Sequence, residues 1–224
     1  MNGDVSRVSP IEDREYSRRK FLKTAAWVGA ALSAAGIGGT QVFTRYAEAQ
    51  PTLGFVAFPT YQGLGDAAIL QFAYQLELLE GRFYQFGVEA GILDDFSATQ
   101  IAAIRDHEFA HADFLASTLA SLGAAVPPEP TFVYPEGVFS DPVAFLELAA
   151  TFEPVGIGAY QGSAGAIQDK GILAGAGSIL GVECDHRTAI DVLRGISGPN
   201  YIPFQRSFTF DEAVAATTPF GVVV

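Results

Sequence analysis

The chain is short of the residues that mark most active sites. Its 224 residues include one cysteine, one methionine, one tryptophan and three histidines. The single Cys184 excludes an intramolecular disulfide and a zinc-binding cysteine cluster. No glycine-rich phosphate loop and no nucleophile elbow occurs. Positive charge is scarce as well: 13 Lys and Arg stand against 25 Asp and Glu, a net charge of −12. From residue 50 onward the balance is 6 basic to 20 acidic, or −14. That sign argues against nucleic acid or an anionic membrane as a partner and suits metal cations.

What little histidine there is falls in a pattern. Two of the three histidines close a Glu-x-x-His: Glu108-Phe109-Ala110-His111 and Glu183-Cys184-Asp185-His186. Residues three apart share one face of a helix, so each motif points a carboxylate and an imidazole the same way. A Glu lies upstream of each motif, Glu77 and Glu153, with Tyr84 and Tyr160 seven residues after them. The offsets are 76 for the Glu and Tyr pairs and 75 for both members of the Glu-x-x-His pairs. The chain therefore repeats a helix pair, and two such pairs supply four Glu and two His. Glu77, Glu108, His111, Glu153, Glu183 and His186 match the ligand set of a carboxylate-bridged di-iron or di-manganese helix bundle. Carboxylate and imidazole together suit iron or manganese and redox chemistry with oxygen species.

The remaining signals place four helices around that repeat. The first runs from about Asp66, read as its N-cap, to Phe86, with Ile69, Phe72, Ala73, Leu76, Leu79, Phe83 and Phe86 as an apolar stripe. Glu80 also interrupts this stripe. It breaks the repeat, mapping onto Gly156, and is left as a supporting or surface carboxylate. Ser97-Ala98-Thr99-Gln100 reads as a capping box opening the second helix, and Gly123 as its stop. His107, outside the repeat, is expected to be partly exposed or simply hydrogen-bonded. Pro127, Pro128, Pro130 and Pro135, with Phe132, Tyr134 and Phe139, make a long crossover pinned by its aromatics. Ser140-Asp141-Pro142 opens the third helix. Pro154, immediately after Glu153, predicts a kink; Glu147 is the fallback ligand. The many glycines from Gly156 to Gly181 suggest close backbone approach of the third and fourth helices. The fourth ends near Arg194-Gly195. Asp106, Asp113 and Asp185 are candidate acceptors for the outer nitrogens of the histidines. Tyr84 and Tyr160 are the catalytic candidates, either hydrogen-bonding a ligand carboxylate or relaying an electron, though each also reads as plain core filling.

At these residues, over roughly Pro59 to Arg194, the chain resembles the ferritin-like superfamily, and more narrowly exported ferritin-like proteins related to desiccation-related proteins. The resemblance implies an all-α, ferritin-like four-helix bundle with a long crossover between helices 2 and 3. It also implies two iron or manganese ions, reaction with oxygen or peroxide, or metal sequestration in stress protection. The alternative is a non-enzymatic structural or stress-binding module with a vestigial or structural metal site. A homo-oligomer is compatible with either.

Ser17-Arg18-Arg19-Lys20-Phe21-Leu22-Lys23 resembles a twin-arginine export signal, with the twin-arginine translocase as the implied partner. An uncharged run from Thr24 to Thr44 follows, then Ala47-Glu48-Ala49 as a small-x-small cleavage site. The expected organisation is a signal peptide over 1–49, an extended lead-in over 50–65, the bundle over 66–195, and an aromatic tail over 196–224 packed on it. The product is periplasmic or extracellular; without cleavage the run becomes an N-terminal membrane anchor.

Overall fold

The computed structural model describes residues 61, 63–196 and 204–222. The expected signal peptide, most of the expected lead-in and Tyr201 lie outside the described residues. Within them the chain is all-helical: α1 (Asp66–Glu89), α2 (Asp95–Ser121), α3 (Pro142–Ser163), α4 (Lys170–Leu193) and a short α5 (Phe210–Thr217).

Caps set most of the boundaries. Asp94 opens α2, its carboxylate accepting from the Ser97 amide at 2.8 Å, so the helix starts before the expected capping box. Gly123 adopts φ 67°, a left-handed stop that favours glycine. Asp141 caps α3 with Pro142 in the first turn, and Asp169 caps α4. Asp66 does not cap α1. That place falls to Gly65, while the Asp66 carboxylate accepts from the amides of Gln168 and Asp169 and ties α1 to the α3–α4 loop. α3 runs on through Pro154 as one helix, although proline deprives the Ala150 carbonyl of its helical donor.

Paired residues give the helix directions. Tyr84 meets Glu153 and Glu77 meets Tyr160, so α1 and α3 are antiparallel. His107 meets His186 and Phe114 lies over Gly175, so α2 and α4 are antiparallel too. Short loops make α1–α2 and α3–α4 antiparallel hairpins. α2 and α3 then point the same way, and the crossover must travel the length of the bundle to join them. It is anchored along α1: Arg82 forks onto Glu129 at 2.6 and 2.8 Å, and the Tyr134 hydroxyl donates to the Leu79 carbonyl at 2.7 Å.

Aromatics crowd one end of the core, where Phe83 sits among Tyr84, Tyr134, Phe139, Phe145 and Phe152. The tail completes the packing, with Phe208, Ala213, Phe220 and Val222 joining this same cluster. Gly158 and Gly162 of α3 serve that tail rather than α4. The Phe208 amide donates to the Gly158 carbonyl at 2.8 Å, and a β-carbon on Gly162 would lie 1.9 Å from the Phe208 carbonyl oxygen. On α4, Gly175 makes room for Phe114, while Gly177 and Gly181 face open space. The expected close approach of the α3 and α4 backbones is therefore not what these glycines provide. α3 is apolar enough to cross a membrane by length and composition, but it is mostly buried inside the bundle.

Candidate metal centre

Five glutamates lie in the interior: Glu77 and Glu80 from α1, Glu108 from α2, Glu153 from α3 and Glu183 from α4. Fully burying a large apolar side chain contributes about 1.5–3 kcal/mol. An unpaired buried carboxylate costs at least as much, so five together demand compensation.

The six residues of the sequence repeat come together at this point. Glu77, Glu108, His111 and Glu183 form one group in which a ligand atom from each lies within 4.8 Å of the others. Glu108, Glu153, Glu183 and His186 form a second group by the same measure. The groups share Glu108 and Glu183, one from each Glu-x-x-His. Each adds one further glutamate and one histidine. The result is two overlapping groups of potential metal ligands with two carboxylates in common.

His111 Nδ1 lies 3.1 Å from Glu77 Oε2, 3.3 Å from Glu108 Oε2 and 3.3 Å from Glu183 Oε1. His186 Nδ1 lies 2.9 Å from Glu108 Oε1. That last approach is close but lacks the direction of a hydrogen bond, and both atoms are without a hydrogen-bond partner. Glu153 Oε2 and both Glu183 oxygens are likewise buried without partners. Native interiors rarely leave such atoms unpaired. Here they belong to the residues of the two overlapping groups, and the donor set of carboxylate oxygen and imidazole nitrogen fits iron or manganese.

The tyrosines cross between the halves. Tyr84 of α1 donates to Glu153 of α3, and Tyr160 of α3 donates to Glu77 of α1. Each tyrosine thus holds the glutamate of the opposite repeat rather than the one on its own helix. Burial, followed by the neighbouring carboxylate, raises the acid range of both hydroxyls well above the phenol norm, so they remain protonated donors.

Electrostatics follow from the crowding. Burial and then repulsion from Glu108 and Glu77 raise Glu183 to about 8. Burial is also the first cause of the upward shifts at Glu108 and Glu153. Burial opposes charge on His111, but contacts with Glu108, Glu183 and Glu77 outweigh it and push the imidazole up to about 12. Without metal the cluster therefore holds protons where cations would bind.

Three sequence expectations are narrowed or replaced. Of the supporting and surface readings of Glu80, burial leaves the first: its Oε1 is unpartnered, and burial and then Glu183 push its carboxyl well up. Gly156, its counterpart in the repeat, is what admits the cluster, since a β-carbon there would lie 2.8 Å from Glu183 Oε2 and 3.4 Å from Glu80 Oε1. Glu147, the fallback ligand, is engaged by Arg194 at 2.8 Å instead. The neighbour of His186 is none of the candidate aspartates but His107, whose Nδ1 lies 3.0 Å from His186 Nε2; Asp106 pairs with Arg105. A buried acid inside an apolar stripe was the signal for Glu80. For His107 the only signal was its position four residues before His111, on nearly the same helix face.

The sequence pattern of the ferritin-like domain matches residues 65–195, which span the four long helices and the crossover. No curated protein matches the chain. With more than half its length covered, and with the all-helical architecture just described, the chain belongs to the ferritin-like domain family.

Proposed function

We propose that the chain is an exported ferritin-like protein that holds two iron or manganese ions between Glu77, Glu108, His111, Glu153, Glu183 and His186. Its role on this reading is to handle oxygen or peroxide, or to sequester metal, in stress protection. The observation carrying the reading is the gathering of buried, partnerless carboxylate oxygens and His186 Nδ1 in two overlapping groups of potential metal ligands. Iron or manganese, when bound, supplies one-electron exchange with oxygen species.

The chain's own residues do the rest. Glu108 and Glu183 belong to both groups, and His111 and His186 to one each. Tyr84 and Tyr160 hold Glu153 and Glu77 in orientation and keep a proton beside them. The packed core excludes bulk water from the cluster.

The test is metal per chain in protein folded with iron and manganese available. Wild type is expected to retain both ions. The His111→Ala, His186→Ala double variant is expected to lose most of them, and with them the rise in unfolding temperature that a bound ligand confers. Equal, near-zero content in both proteins overturns the reading. Export rests on the Arg18-Arg19 pair. Changing both to Lys is expected to leave the protein in the cytoplasm, and normal export of that variant removes this part of the proposal.

A further inference from the structure

His107 is exposed, yet its ring reaches a buried histidine. His107 Nδ1 and His186 Nε2 are 3.0 Å apart, the ring centroids are 5.2 Å apart, and the ring planes differ by 12°. The centroid separation exceeds the N···N distance by almost the two centre-to-nitrogen radii of the rings. The two nitrogens therefore lie close to the line of centres, and the near-parallel rings meet edge to edge. This is the geometry of an N–H···N hydrogen bond, with one ring donating and the other accepting.

The buried end decides the direction. His186 Nδ1 has no hydrogen-bond partner and faces Glu108 Oε1 at 2.9 Å. Because that approach lacks the direction of a hydrogen bond, a proton on Nδ1 would be a buried donor with no acceptor. With the proton on Nε2 the donor is satisfied, since His107 Nδ1 accepts it, and Nδ1 is left as the bare lone pair. His107 carries its own proton on Nε2, toward solvent.

We infer that His107 is a positioning residue for one half of the centre: by accepting the Nε2–H of His186 it fixes that ring's tautomer and aims the Nδ1 lone pair at the position shared with Glu108, Glu153 and Glu183. The inference rests on the metal-binding reading above for its consequence, but the hydrogen bond itself does not depend on it. It is specific to one half of the molecule. The repeat places Val182 where the other half would need a counterpart of His107, and Val182 has no acceptor. His111 makes its close carboxylate contacts through Nδ1 alone.

Two measurements test it. Nitrogen NMR on ¹⁵N-histidine-labelled protein, metal-free and zinc-loaded, is expected to show a coupling across the bond, with His186 Nε2 protonated and His107 Nδ1 as a bare acceptor. Absence of the coupling together with a protonated His107 Nδ1 overturns the assignment. Titration with manganese(II) and cobalt(II) follows. His107→Phe, which keeps a flat ring but removes the acceptor, is expected to weaken one of two binding steps by about 10–100-fold, the usual cost of losing a partner of a metal-binding histidine. The other step is expected to stay unchanged. His107→Gln, which restores an acceptor oxygen, is expected to recover most of that loss, which a merely structural ring contact would not allow. His107→Phe binding both ions as wild type does overturns the inference and leaves the metal reading intact. Wild type that binds neither ion overturns the metal reading, while the NMR coupling still decides the histidine pair.

Discussion

The two helix pairs descend along the same pattern but dress it differently. At matching positions α1 carries Glu80, Arg82 and Phe86, where α3 carries Gly156, Gly158 and Gly162. The large side chains of α1 reach outward to the crossover, through Arg82 to Glu129 and through Phe86 to Tyr134 and Phe139. α3 instead presents bare backbone, and the tail lies directly on it at Gly158 and Gly162. Inside, the one extra carboxylate of α1, Glu80, sits beside the space that Gly156 leaves open. The proposed ligand residues obey the repeat, while the residues that cover and crowd the centre break it. Symmetry therefore accounts for what the site can hold, and asymmetry for how it is closed.

The comparison is broken most severely at Gly162. A β-carbon there would lie 1.9 Å from a backbone oxygen, and backbone cannot swing aside as a side-chain tip can. Gly162→Ala is expected to cost about 3 kcal/mol, the upper end for overpacking, read from denaturant unfolding. An unchanged midpoint would show that the tail does not rest on α3.

Gly156→Ala is expected to be milder for stability and sharper for the site. Its new methyl meets the tip of Glu183, which can turn away, but only by leaving the position both groups share. Metal content should fall while the metal-free unfolding temperature moves little. Retention of full metal content would show that Glu183 has room to spare.

The smallest effect concerns Glu80 and pH. Glu183 is raised from 4.5 to about 8, so the folded state binds protons that the unfolded chain releases. That contribution is complete below about 4.5 and is lost as pH rises through 8. His111, raised from 6.5 to about 12, acts in the same direction from 6.5 upward. Metal-free protein should therefore unfold at progressively lower temperature from pH 5 to pH 9. Glu80 is raised for the same reasons, and Glu80→Gln removes its share of this loss. The variant is expected to melt about 2–4 °C above wild type at pH 8, corresponding to roughly 1 kcal/mol in a domain of this size, with no difference at pH 4. Identical melting of the two proteins at pH 8 would mean that Glu80 is solvated after all.

The sequence carried the symmetric part of this structure. The 75 and 76 offsets named Glu77, Glu108, His111, Glu153, Glu183 and His186, which the structure brings together, and Tyr84 and Tyr160, which hydrogen-bond two of them. Cap and stop residues gave the four long helices and, within a few residues, their ends. The same reasoning undervalued whatever violates the repeat. Glu80 was set aside because it maps onto a glycine, yet that glycine is what gives the carboxylate cluster room. His107 was read as a partly exposed or simply hydrogen-bonded histidine outside the repeat, and its partner lies 79 residues away on α4. The glycines were assigned to helix contact because periodicity cannot show that a segment 46 residues further on, at Phe208, returns to lie on Gly162.

The return of that tail separates two meanings of the word domain. The stretch recognised as ferritin-like ends at residue 195, but the packing does not. Phe72 meets Phe210 edge-on, Phe152 meets Phe220 in the same way, and the crossover amide of Val133 donates to the Phe220 carbonyl. Residues 65–195 excised alone would expose these aromatics and leave the Gly158–Gly162 face of α3 uncovered. The unit of inheritance is therefore smaller than the unit of folding, and a graft of the former into another protein must carry residues 204–222 with it to fold as this one does.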